Sequence, residues 1–131
     1  MNLYAFRLHP HQDLKVELDA FVRDHALEAA CVVTCVGSLR QATLRLADGV
    51  TATTFKDKFE IVSLTGTLSR HGSHYHISLA DGTGRTLGGH LLEGCSIYTT
   101  AEIVLAELPG MRFNRDYDAA TGYPELVIQS I

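Results

Sequence analysis

The sequence predicts an α+β fold, a mainly antiparallel β-sheet with one amphipathic helix. Three observations carry that expectation. Only one stretch, Leu14 to Leu27, spaces its apolar residues at helical intervals. Most of the later chain alternates apolar and polar residues or runs in β-branched blocks, as strands do. Turn signals separate those blocks: Gly37-Ser38, Asp81-Gly82-Thr83-Gly84 and Pro109-Gly110.

Taken in order, Asn2 to Leu8 alternates as a first strand and is broken by His9-Pro10-His11. Asp13 then stands where a helix N-cap belongs. Leu14, Leu18, Phe21, Val22 and Leu27 form the inner stripe of the helix, and Lys15, Glu17, Asp19, Arg23 and Asp24 the outer one. Ala30 to Val36 is a buried run ended by Gly37-Ser38, and Gln41 to Ala47 alternates again. Asp48 to Asp57 lacks a core pattern and reads as a loop. Phe59 to Leu68 and Cys95 to Ala106 are long strands. Met111 to Tyr123 is polar and irregular, and Glu125 to Ile131 closes the chain as a strand.

Composition narrows the classes. With 131 residues, 46% of them hydrophobic, the chain suffices for one domain over residues 1–131 with its own core. The net charge is -4 and the eleven Lys and Arg residues are scattered, so no basic run suited to gripping phosphates is present. Cys31, Cys35 and Cys95 are an odd set without a C-x-x-C, and the first two read as small packed hydrophobes. Nothing at the N-terminus resembles a signal peptide and no apolar run approaches a membrane span. A reducing cytoplasm is the expected compartment.

The chemistry concentrates between Ser73 and Cys95, which hold three of the seven histidines. On a strand, His74 and His76 share a face while Tyr75 takes the other. Two registers are open to the returning strand. A two-residue loop at Gly82-Thr83 sets His90 opposite Tyr75, on the wrong face. A three-residue loop, Gly82 to Gly84 with Gly84 left-handed, pairs Asp81 with Arg85 and His76 with His90. The second register is favoured, and on it three imidazoles converge.

Several segments together resemble the plants-and-prokaryotes conserved (PPC) domain. They are Val36-Gly37-Ser38-Leu39, Leu44-Arg45-Leu46-Ala47, Phe59 to Leu68, His74 to Asp81, Gly88-Gly89-His90-Leu91, Gly94-Cys95 and Thr99-Thr100-Ala101-Glu102. The ordered set covers nearly the whole chain. The resemblance implies an α+β fold of mainly antiparallel strands with one helix, and assembly as a homotrimer. In plants the domain follows AT-hook motifs that bind DNA, whereas this chain contains no Arg-Gly-Arg-Pro. It is similar instead to the stand-alone prokaryotic branch, which keeps the three histidines and carries a DNA-binding label.

A His-x-His on one strand with a third histidine on the next matches the donor set of a divalent metal, zinc first, with one position left open. His74, His76 and His90 are therefore the expected metal ligands, near a subunit boundary. The alternative is that they hydrogen-bond across the sheet or line an interface. With metal bound, small-ligand binding or metal-assisted hydrolysis or hydration becomes available. Glu102 and Glu60 are the candidate carboxylates for it, and Glu93 is nearest to His90 in sequence. Arg45 is expected in a structural ion pair, with anion binding as the alternative. No strand–glycine-loop–helix order cradles a nucleotide, and no serine sits in a nucleophile elbow. The competing functional class is a DNA-associated regulatory module.

Overall fold

A computed structural model describes residues 1–131. Ten strands and one helix appear in the order β1 (Leu3–Leu8), α1 (Leu14–Asp24), β2 (Ala30–Leu39), β3 (Ala42–Arg45), β4 (Ala52–Phe55), β5 (Phe59–Ser69), β6 (Gly72–Ala80), β7 (Thr86–Leu91), β8 (Ile97–Glu107), β9 (Met111–Asp118) and β10 (Tyr123–Ser130). Eight strands form one sheet in the order β1-β8-β2-β5-β6-β7-β3-β4, and β9 and β10 form a separate ribbon. All pairs are antiparallel. The α+β architecture expected from the sequence is present.

The helix starts where its capping residue dictates. Asp13 Oδ1 accepts from the Val16 N–H at 3.0 Å, satisfying one of the orphan donors of the first turn. Its other oxygen accepts from the Gly94 and Cys95 N–H groups at 2.6 and 3.0 Å, which ties the helix start to the loop between β7 and β8. Leu14, Leu18 and Val22 are buried and face a core that includes Leu64, Leu68, Leu79, Ile103 and Leu105. The helix ends at Asp24, three residues before the expected Leu27. Ala26 adopts φ 50 and the chain turns there, so Leu27 reaches the core from the turn.

Three further expectations are corrected. Residues 52–55 form β4, an edge strand paired only with β3, which explains why they carry no core pattern. β2 continues through Gly37 and Ser38 to Leu39, pairing with both β5 and β8. The polar segment after Pro109 is strand β9, and the closing strand pairs with it rather than with the main sheet. A two-stranded ribbon exposes most of its side chains, so polarity was a poor guide. Its anchor is Phe113, which is buried and whose carbonyl accepts from the Ser69 hydroxyl at 2.7 Å.

Charge completes that anchor. Glu28, in the loop between α1 and β2, pairs with Arg70 at 2.8 Å, His71 at 2.9 Å and Arg112 of β9 at 2.8 Å. Hydrogen bonds from Arg112 and then His71 hold its carboxyl at about 2, well below the ordinary 4.5. A carboxylate with a depressed pKa contributes stability that is complete above its unfolded value and lost as pH falls towards its folded value. Glu28→Gln is therefore expected to lower stability at pH 7 by about 1 kcal/mol, modest because the pairs touch solvent. The gap from wild type should close between pH 4.5 and 2, as read from thermal unfolding by circular dichroism. A gap that stays constant across that range contradicts the assignment.

Candidate metal centre

The site begins with the residue that faces away from it. Tyr75 of β6 is 1% exposed, and its hydroxyl donates to Asp19 of α1 at 2.9 Å. Ser73 donates to the same oxygen at 2.6 Å, and Lys15 pairs with the other at 2.7 Å. Burial, with the Asp19 charge beside it, drives the Tyr75 pKa upward, so the phenol stays protonated as donor. With Tyr75 committed to the helix side, its neighbours His74 and His76 must project from the opposite face.

The returning strand brings the third imidazole. Gly84 has φ 83, and the Asp81 N–H donates to the Arg85 carbonyl at 2.9 Å, closing a three-residue loop. His76 is then the cross-strand partner of His90, in the register favoured from the sequence. Gly88 sits where a Cβ would come within 2.4 Å of the Ile77 carbonyl oxygen. A side chain there would force β7 away from β6 and carry His90 with it.

Ring centroids are 4.7 Å apart for His74 and His76, 5.0 Å for His74 and His90, and 5.7 Å for His76 and His90. One ring nitrogen from each lies within 4.8 Å of the other two. His74 Nε2 and His76 Nε2 approach to 3.1 Å, sharing a proton in the manner of the hydrogen-bonding alternative. His90 differs: its Nδ1 is buried and has no hydrogen-bond partner. An unpaired buried nitrogen is costly, and it suits a site built for a ligand. Burial first, then Arg45 and the other two histidines, push the His90 pKa down to about 4. Burial and His76 likewise lower that of His74. These two imidazoles are therefore neutral at pH 7, the form in which nitrogen donates a lone pair to a metal.

The carboxylates named from the sequence lie elsewhere. Glu102 is exposed on β8 between Arg7 of β1 and Val36 of β2, with β2 and β5 intervening before β6. Glu60 lines a cavity with Ser38, Lys58, Tyr98 and Thr99, without any of the three histidines. Glu93 is exposed beyond the end of β7. The acid that shares a cavity with His74 and His90 is Glu125 of β10, alongside Arg45, Arg115 of β9 and Tyr123. Arg45 makes no ion pair, contrary to expectation; its guanidinium lies 5.5 Å from the centre of the Tyr123 ring. Arg115 and Glu125 escaped the sequence reading because the segment holding them lacks an apolar pattern. The signal was the lone Phe113 two residues before Arg115.

Comparison with known proteins agrees with this architecture. Two Synechococcus proteins named bifunctional protein GlmU are 51% identical to this chain over all 131 residues. The chain spans only 21% of their length. The crystal structure of a hypothetical protein of Salmonella enterica is 43% identical, covers 98% of this chain and 94% of its own, and superposes with a TM-score of 0.95. A candidate DNA-binding protein of Bacteroides thetaiotaomicron is 25% identical over 96% of this chain and 91% of its own, with a TM-score of 0.87. An Archaeoglobus fulgidus protein described as metal-containing shares the fold at 23% identity, over 97% of this chain and 94% of its own, with a TM-score of 0.83. The profile of the Plants and Prokaryotes Conserved (PCC) domain matches residues 1–109, and the chain belongs to that family.

Proposed function

We propose that the chain binds a divalent metal, zinc, through His74, His76 and His90, and uses the open side of that site to hold a small ligand. The observation that carries this reading is the convergence of one ring nitrogen from each histidine within 4.8 Å, with His90 Nδ1 buried and unpartnered. Imidazole nitrogens suit zinc, and a three-nitrogen set leaves a position free, as catalytic rather than structural zinc sites do. The metal-containing description of the Archaeoglobus neighbour supports the same reading. Bound zinc would supply Lewis-acid character and lower the pKa of water to about 7. Among this chain's own groups, Glu125 is the carboxylate in position to accept a proton there. The GlmU name describes proteins of which this chain matches about a fifth, so their activities are not carried over.

Elemental analysis after zinc loading and desalting should give one zinc per chain, and His90→Ala should remove it. Affinity should fall as pH drops towards about 4, where His90 takes up a proton and is lost as a donor. Absence of zinc in the loaded wild type, or retention by His90→Ala, removes the basis of this reading.

The assembly we propose is a homotrimer with the histidines near its subunit boundaries. Val33 and Val36 of β2 and Val62 of β5 are 56%, 57% and 58% exposed on adjacent strands. Apolar side chains at that exposure favour cover by a second copy. Val32 shares a cavity with His74 and His76, so this surface adjoins the histidines. Light scattering should report three chains per particle, and Val36→Glu should shift the mass towards one. A monomeric wild type contradicts the assembly. The free thiols Cys31, Cys35 and Cys95 fit a reducing cytoplasm, where we place the protein.

The Bacteroides neighbour favours a second reading, a DNA-associated module. A net charge of -4 with scattered cations opposes it. Gel-shift titration of the trimer against duplex DNA at low salt is expected to show no retardation. A complex that weakens steeply as salt rises would replace the metal-ligand reading with this one.

A further inference from the structure

Two guanidinium groups flank the three imidazoles, and neither has a carboxylate within ion-pair distance. Arg45 of β3 is the direct cross-strand partner of His90. Arg115 of β9 donates to the Thr67 hydroxyl at 3.1 Å, and Thr67 is the partner of His74. Its stem occupies space that Gly72 leaves free, since a Cβ there would come within 2.9 Å of the Arg115 Cγ. Both arginines thus reach the histidine cluster from opposite sides, one from the main sheet and one from the C-terminal ribbon. They line, with His74, His90, Tyr123 and Glu125, one cavity of about 410 Å³.

The charges in that cavity do not balance. Glu125 is its one acid, set against two guanidinium groups before any metal is counted. Desolvation lowers the Arg115 pKa, with Glu125 acting the other way. Guanidinium stays charged regardless, so the site holds a partly dehydrated cation with no carboxylate at ion-pair distance. Such a group is unfavourable unless an anion completes it. The planar forks of two arginines match the paired oxygens of carboxylate or phosphate.

We propose that this cavity binds a small oxyanion, a carboxylate or phosphate compound, through Arg45 and Arg115, with the Tyr123 ring as its wall. The proposal names the ligand class of the histidine site and rests on that reading for what lies beneath the anion, although the arginine pair does not itself require metal. Arg115 and Tyr123 lie beyond residues 1–109, outside the matched part of the family profile. The ribbon therefore supplies the ligand-selecting wall, while the main sheet supplies the histidines.

Isothermal titration of the full chain with inorganic phosphate and, separately, malonate tests this, using metal-stripped and zinc-loaded protein. Arg45→Gln and Arg115→Gln are each expected to weaken binding of the preferred probe by about tenfold or more. Zinc stoichiometry and thermal midpoint should stay near wild type, which separates lost binding from lost folding. Arg115→Lys should restore only part of the affinity, because an ammonium cannot present the planar fork. His76→Ala distinguishes the two readings. Anion binding that survives in it, yet falls in Arg115→Gln, upholds the arginine pair whatever the fate of the metal. If zinc binds and neither arginine substitution changes either titration, the anion site is overturned while the metal centre stands. Absence of measurable heat with both probes, on both forms of the wild type, also overturns it.

Discussion

Burial of one phenol on the wrong side of a strand is what makes a three-histidine cluster here. Tyr75 satisfies its hydroxyl inside the protein by donating to Asp19 on the helix. Releasing it to the other face would bury imidazoles against the helix and strand an aromatic ring in solvent. Side-chain direction in a strand alternates strictly, so fixing Tyr75 fixes His74 and His76 as well. The core and the site are therefore not separate achievements of the sequence. The contact that docks the helix on the sheet also aims two of the three ring nitrogens.

The third nitrogen depends on counting. One residue more or fewer in the loop after β6 would turn His90 to the helix side. Asp81 holds that count: one carboxylate oxygen accepts from the Thr83 N–H at 2.9 Å, the Thr83 hydroxyl at 2.7 Å and the Arg85 N–H at 3.0 Å. These bonds hold the Asp81 carboxyl below its usual pKa, the Thr83 hydroxyl foremost, so the acceptor stays ionised and the loop closed. Electrostatics then finishes what geometry begins. His90 lies beside Arg45 and is partly desolvated, and both influences favour the uncharged ring. A neutral ring with an unpaired nitrogen is a better donor than a charged one, and the proposed anion site would use the same arginine that adds to the effect of burial.

Local signals made much of this legible. The alternation of His74, Tyr75 and His76, the glycine-bearing turn and the position of His90 all lie within seventeen consecutive residues. Asp13 announced the helix because an N-cap is read from its immediate neighbours. What escaped was whatever depends on a distant partner. Residues 52–55 become a strand only because β3 presents an edge to them, and residues 111–118 only because β10 returns beside them. Arg115 is placed by Thr67 and by the space at Gly72, forty residues and more away in sequence, which no spacing rule exposes. Glu102 and Glu60 stand on well-patterned strands, yet a pattern gives a face and not a position along the sheet order. Glu125 sits on a ribbon that lacks such a pattern and still shares the histidines' cavity.

That division has a physical consequence for how the site is built. The histidines stand on strands locked by the core, where displacement of β6 or β7 would open the packing around Leu79 and Leu91. The ribbon bearing Arg115, Tyr123 and Glu125 is held by fewer constraints: Phe113 with its bond from Ser69, the Arg112–Glu28 pair and the Arg115 bond to Thr67. Substitution on a mostly exposed ribbon costs little stability, whereas substitution beneath the histidines disturbs the sheet. The same scaffold can thus keep its donor set while the facing wall changes. On the proposed reading, selectivity for a ligand would reside where change is tolerated, and the geometry of the three histidines where it is not.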